Sequence, residues 1–159
     1  MLMEHRSSVT GATTVPSRPA PAEPRSTPSG PRTPAEVREE VRHALAEARR
    51  SPLLREALGG DDIIGDALLV ATELTSNAML HGGGVTAFEV TLDAKEVRLS
   101  VSDRSPEYPR PARHTDERGV MRPGGHGWPI VCRLADDITI SELRTGGKRI
   151  TAVVPLTHR

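Results

Sequence analysis

A carboxylate, an amide and an imidazole follow one another at four-residue intervals, at Glu73, Asn77 and His81. On an α-helix this spacing places all three side chains along one edge. Asparagine is unfavourable inside a helix because its side chain competes for backbone hydrogen bonds, so Asn77 between apolar neighbours suggests a task other than packing. Holding a metal-bound phosphate is one such task. Glycines from Gly82 onward are predicted to end the helix.

A second carboxylate is predicted on the core-facing side of a strand. Val97, Leu99 and Val101 alternate with polar residues, and the same period of two continues to Asp103. A carboxylate buried without a partner would cost several kcal/mol, so either protein groups or a bound ligand must donate hydrogen bonds to it. The alternative is that Asp103 ends its strand and caps the following turn.

Glycines at positions 124, 125 and 127 surround His126 just before a predicted helix that starts near Trp128. Glycine lets the backbone approach a ligand, and the first amides of a helix point at an anion, so this segment is a predicted phosphate site. A glycine-rich loop is also a common plain connector. Residues 104–123 lead into it, and a connection of about twenty residues is typical of a lid over a site.

Composition limits the classes of protein to consider. A chain of 159 residues with 36% hydrophobic content favours one domain. Because the formal net charge is 0 and aromatic residues make up 2%, we expect no nucleic acid partner. No window approaches the ~18 apolar residues of a membrane span, and no signal peptide is visible, so we expect no membrane partner.

The single cysteine, Cys132, fits a reduced cytoplasmic setting. We expect a small buried thiol on a helix, with a reactive thiol as the alternative.

The elements that must position these residues follow from periodicity and capping signals. Residues 1–32 are rich in proline and poor in large apolar side chains, which predicts a disordered tail, with a Pro-x-x-Pro recognition tract as the alternative. The folded domain is predicted at residues 33–159. A capping box of Thr33 and Glu36 is predicted to start the first helix, and Asp61 or Asp62 to cap the second. The apolar positions expected to face the core on these two helices are Val37, Val41, Leu45 and Ala48, then Ile64, Leu68, Ala71, Leu74 and Ala78.

Two hairpins and a third helix complete the predicted fold. The first hairpin spans residues 88–101, the third helix carries Ile130, Val131 and Leu134 on its buried face, and the second hairpin spans residues 138–154 around a glycine turn. The order helix, helix, two strands, lid, helix, two strands predicts an α+β fold. It would be a two-layer α/β sandwich with helices on one face of a mixed, mostly antiparallel sheet.

These features occur in an order that resembles the GHKL superfamily of ATP-binding domains, with its Bergerat-type fold. That superfamily includes type II topoisomerase ATPases and sensor histidine kinases. The resemblance covers roughly residues 34–155 and is strongest to small stand-alone members, the anti-sigma-factor serine/threonine kinases and their actinobacterial relatives. The segments that carry it are Glu73 to Gly83 for the N-box, Asp103 and Ser105 for the adenine-binding box, Gly124 to Gly127 for the lid glycines, and Gly146-Gly147-Lys148 for the closing hairpin.

The resemblance implies ATP and Mg²⁺ as cofactors. Asn77 would coordinate the Mg²⁺ that bridges the phosphates, and Glu73 would polarise the attacking hydroxyl or water. Asp103 would accept a hydrogen bond from the adenine amino group. His81 would end the helix or line the edge of the pocket. The remaining residues that the resemblance places around the nucleotide are Ser105, Gly125, His126, Gly127 and Trp128.

The implied function is a cytoplasmic anti-sigma regulator with serine/threonine kinase activity. Its partners would be an anti-anti-sigma antagonist protein and an alternative sigma factor, with a homodimer as a further implied assembly. His126 stands where relatives commonly have arginine, and an imidazole that titrates near pH ~6.5 gives the phosphates no permanent positive charge. This departure and the stiff Trp128-Pro129 pair favour, as the alternative, a nucleotide-gated binding module without phosphoryl transfer. A domain with an empty pocket is the third interpretation.

Overall fold

A computed structural model of the chain describes residues 30–109 and 127–156. Within these residues lie four helices: α1 (Pro34–Ala48), α2 (Pro52–Ala57), α3 (Asp61–His81) and α4 (Gly127–Leu134). The strands in the same part of the chain are β1 (Val85–Leu92), β2 (Glu96–Asp103), β3 (Asp137–Glu142) and β4 (Lys148–Pro155). Residues 1–29 of the predicted tail, most of the predicted lid, and Gly124, Gly125 and His126 lie outside the described residues.

The start of α1 is fixed by the predicted capping box. Thr33 Oγ1 accepts a hydrogen bond from the Glu36 amide at 3.2 Å, and the Glu36 carboxylate accepts from the amides of Arg32 at 2.8 Å and Thr33 at 3.2 Å. The Arg32 amide, followed by that of Thr33, holds the pKa of Glu36 below its usual range. The first three predicted core positions of this helix are buried: Val37, Val41 and Leu45.

The start of α3 differs from the prediction. The N-cap is Gly60, which has no side chain to accept a hydrogen bond, and Asp61 is already the first helical residue, so the predicted aspartate cap is wrong. Both Asp61 and Asp62 lie in the first turn instead, where a carboxylate interacts favourably with the helix dipole. The short helix α2, which was not predicted, precedes this start. The predicted end at Gly82 is confirmed.

Helix α3 is the central helix of the domain, since it contacts α1, α4 and the strands β1, β2 and β4. It is long and apolar enough, by length and composition, to cross a membrane, so the expectation that no segment comes near a membrane span is wrong for this helix. Packing of α3 within the core accounts for the apolar content. Its buried residues are Ile63, Ala67, Val70, Ala71, Leu74, Thr75 and Ala78.

The sheet has the strand order β1-β2-β4-β3, and every pairing among these described strands is antiparallel. In the central pair, Leu99 lies opposite Ala152 and Val101 opposite Ile150, and all four side chains are buried. The predicted α+β fold is confirmed. The same register places the last residue of β2, Asp103, opposite the first residue of β4, Lys148.

Helix α4 packs on α3 through one buried side chain, Val131, with Ile130 and Leu134 half-buried beside it. Cys132 is exposed on the same helix, so the predicted buried thiol is wrong. The reason is local, because at 3.6 residues per turn Cys132 lies about 100° around the helix from Val131, on the side away from Ile130 and Leu134.

Candidate functional site

Asp103 lies at the end of β2 and is only 4% exposed, as is Lys148 opposite to it. The ammonium nitrogen of Lys148 lies 3.0 Å from Asp103 Oδ1 and 2.8 Å from Oδ2. The backbone amide of Ser105 also donates to Oδ1, at 2.9 Å. The predicted burial of Asp103 is therefore confirmed, and protein groups supply the donors it needs. Its contact with the Ser105 amide also shapes the turn, as the alternative interpretation expected.

Lys148 is satisfied by the same cluster. Besides the two carboxylate oxygens, its ammonium group donates to the Ser105 carbonyl at 3.1 Å. A lysine ammonium has three donors, and these three acceptors match that number. Burial of this lysine is consequently compatible with its positive charge, because the charge is paired and fully hydrogen-bonded.

Two glycines allow the chain to approach Asp103 closely. A Cβ added at Gly82 would lie 2.5 Å from the Asp103 carboxylate, and one added at Gly147 would overlap the Asp103 carbonyl oxygen. Arg104 strengthens the same junction, since its amide donates to the Gly82 carbonyl at 2.8 Å and its guanidinium to the Gly83 carbonyl at 3.0 Å. The end of α3 is thereby held against the end of β2.

Glu73 and Gly127 meet at the other end of the site. Glu73 is half-buried on α3, and a Cβ added at Gly127 would overlap its Oε2 atom and lie 2.8 Å from its carboxyl carbon. Gly127 is the first residue of α4, so the carboxylate lies at the N-terminal end of that helix, where peptide dipoles favour negative charge. The predicted catalytic carboxylate and one of the predicted lid glycines are thus in direct contact.

Asn77 follows Glu73 by one turn of α3 and is half-buried. Within the described part of the chain, its amide nitrogen Nδ2 is the one buried side-chain polar atom without a hydrogen-bond partner. The amide oxygen and nitrogen are interchangeable by rotation of the side chain, so either a donor or an acceptor could face this position. A buried polar atom without a partner is costly, and a bound phosphate or metal ion would satisfy it.

The remaining predicted residues occupy three different environments. Ser105 is half-buried and joins the Asp103 cluster through its backbone, whereas His81 is exposed in the last turn of α3. Trp128 is half-buried and packs against the core. Gly125 and His126 lie outside the described residues. The structure therefore places Glu73 beside Gly127, and Asp103 beside Ser105. Asn77 lies on α3 between these two contacts.

In residues 30–109 and 127–156, no three histidine, cysteine, aspartate or glutamate side chains are grouped so that they could hold a metal ion. Mg²⁺ commonly binds proteins through one or two oxygen ligands and takes the others from phosphates and water. Asn77 is consistent with that mode, because its amide lacks a protein partner and can present its oxygen. When bound, the ion would neutralise charge on the phosphates of a nucleotide.

The sequence interpretation missed Lys148 as the partner of Asp103. A signal for it was present, because the period of two that buries Ile150 and Ala152 extends back to Lys148 on the same face of β4. The close approach of Gly82 and Gly147 was also missed. That approach depends on how α3 and β4 meet β2, which local patterns do not report.

A family model of the histidine kinase-like ATPase domain matches residues 30–154. The match spans most of the chain, which therefore belongs to this family of ATPase domains. The predicted GHKL superfamily is confirmed, and ATP is the nucleotide that such a domain implies. No curated protein matches the chain.

Proposed function

We propose that this protein is a cytoplasmic regulatory kinase. It would phosphorylate a serine or threonine of an anti-anti-sigma antagonist and bind an alternative sigma factor. The observation that supports the proposal most directly is the position of Glu73. Its carboxylate lies at the start of α4, one helical turn before an asparagine whose amide has no partner within the described residues. A general base and a phosphate-binding helix start would therefore be adjacent.

The proposed reaction uses these residues in distinct roles. Glu73 would accept the proton of the attacking hydroxyl as its oxygen bonds to the γ-phosphorus of ATP. The bond from that phosphorus to the bridging oxygen would break, and ADP would leave with the electron pair. Asn77 would hold the magnesium ion, and the first amides of α4 would orient phosphate oxygens. Asp103 would accept a hydrogen bond from the adenine amino group, which fixes the base at the other end of the site.

Transfer of labelled phosphate tests this proposal. We expect the purified protein with ATP·Mg²⁺ to label a candidate antagonist on serine or threonine. Glu73→Gln should slow transfer by about 10²–10⁴-fold with little change in ATP affinity, the range typical for loss of a general base. Glu89→Gln, an exposed position on β1, is the matched control and should transfer phosphate normally. Equal labelling by wild type and Glu73→Gln would contradict the assigned role of Glu73.

A nucleotide-gated binding module without phosphoryl transfer is the second candidate. The contact between Glu73 and Gly127 also favours this candidate. The Glu73 carboxylate itself lies where phosphate oxygens would approach the start of α4. This candidate predicts ATP-dependent capture of the partner protein that persists in Glu73→Ala. Capture can be followed by co-purification with and without ATP. Loss of capture in that variant would count against the second candidate.

A further inference from the structure

We infer that Lys148 determines the purine specificity of the nucleotide site. Its ammonium group contacts both oxygens of the Asp103 carboxylate, and together with the Ser105 amide it leaves one acceptor position, which fits the single amino group of adenine and not the paired N–H donors of guanine. The inference rests on the proposed ATP site and concerns a residue outside the sequence-predicted site. Lys148 would act through Asp103 and is therefore a positioning residue.

The hydrogen bonds of Asp103 are distributed unevenly between its two oxygens. Oδ1 accepts from the Ser105 amide at 2.9 Å and from the Lys148 ammonium at 3.0 Å, which uses both of its lone pairs. Oδ2 has Lys148 as its partner within the described residues, at 2.8 Å. One acceptor position on Oδ2 is therefore left for a ligand.

Adenine and guanine make different demands on a carboxylate. The Watson–Crick edge of adenine carries one amino group beside a ring nitrogen that only accepts, so one carboxylate oxygen is enough. Guanine presents two adjacent donors, N1–H and the 2-amino group, which pair best with both oxygens of one carboxylate. Since Oδ1 is filled, guanine would bury one donor without a partner, and that loss disfavours its binding.

Competition between ATP and GTP tests the inference. We would measure both affinities by displacement of a fluorescent ATP analogue from the wild type, Lys148→Met and Lys95→Met. The wild type should prefer ATP. The ratio of ATP to GTP affinity should fall about tenfold in Lys148→Met, since one buried unsatisfied donor has an effect of that order. Lys95 is exposed in the turn between β1 and β2, so Lys95→Met should keep the wild-type ratio.

Other results of the same titration would overturn the inference. Equal weakening of ATP and GTP in Lys148→Met would show that Lys148 only supports the fold. Tighter ATP binding with unchanged GTP binding would show that Lys148 competes with the base. If wild type binds ATP but the ratio is the same in Lys148→Met, the inference fails and the proposed function stands. If wild type binds neither nucleotide, both fail.

Amine acetylation of the wild type tests the inference even if Lys148→Met does not fold. Because the chain has two lysines, mass spectrometry can compare the buried Lys148 directly with the exposed Lys95. Lys148 should react more slowly than Lys95, and ATP should leave it protected, because the ion pair persists beside the bound base. Faster acetylation of Lys148 on addition of ATP would mean that the base displaces it, which contradicts the inference.

Discussion

Two carboxylates of the site are held by different kinds of partner. Asp103 is paired with the Lys148 ammonium and the Ser105 amide, whereas Glu73 lies against the start of α4. An ammonium compensates a buried charge directly, and a helix start does so through aligned peptide dipoles. The polar atom left without a partner in the described residues is then the amide of Asn77. A ligand that satisfies this amide would enter between two carboxylates that are already fixed.

Substitution of Gly127 tests the contact between α3 and α4. Gly127→Ala should weaken ATP binding, because the new methyl group overlaps the Glu73 carboxylate, and relief of that overlap must displace the start of α4, whose first amides would orient the phosphates, from α3. The matched control is Gly65→Ala in α3, where an added Cβ meets no atom within 4 Å. That control should stabilise the protein by about 0.5–1 kcal/mol through helix propensity and leave binding unchanged. Urea denaturation and ATP titration measure both effects, and unaltered ATP affinity in Gly127→Ala would contradict the expected displacement.

Local patterns predicted some elements better than others. The capping box of α1 was predictable because Thr33 and Glu36 are three residues apart and interact only with each other and the adjoining backbone. The start of α3 was not, since Gly60 leaves the turn without a side-chain cap and two aspartates nearby gave a misleading signal. Asp103 and Lys148 are 45 residues apart in the sequence and meet across β2 and β4, so their pairing depends on register across the sheet.

The capping box also predicts how acid affects α1. Because the pKa of Glu36 is lowered in the folded state, its contribution is present above the unfolded-state pKa and is lost as pH falls through the folded-state pKa. The difference in unfolding free energy between wild type and Glu36→Gln should therefore vanish in acid. Thr33→Ala should cost about 1 kcal/mol near neutral pH. Urea denaturation at several pH values measures both, and a pH-independent difference between wild type and Glu36→Gln would contradict the assignment.

Across the whole molecule, α3 connects the parts of the site. Its N-terminal half packs into the core, and its C-terminal half carries Glu73 and Asn77 before ending against Asp103. The strand β2 and the helix α4 each contribute only an end to the site, and both contact α3. A nucleotide bound along α3 would therefore touch the helix layer and the sheet layer at once.

The boundary of the folded unit can be tested by shortening the chain. The first described contact that stabilises α1 is the hydrogen bond from the Arg32 amide to Glu36, and the family match begins at residue 30. A chain that starts at Gly30 should therefore keep the thermal midpoint and ATP affinity of the full protein. A chain that starts at Val37 loses the whole capping box and should be less stable by about 1 kcal/mol or more.

Reduced stability of the chain starting at Gly30 would show that residues 1–29 support the domain. If its stability and ATP affinity are unchanged but partner capture is lost, the recognition-tract interpretation of those residues gains support over that of a passive tail.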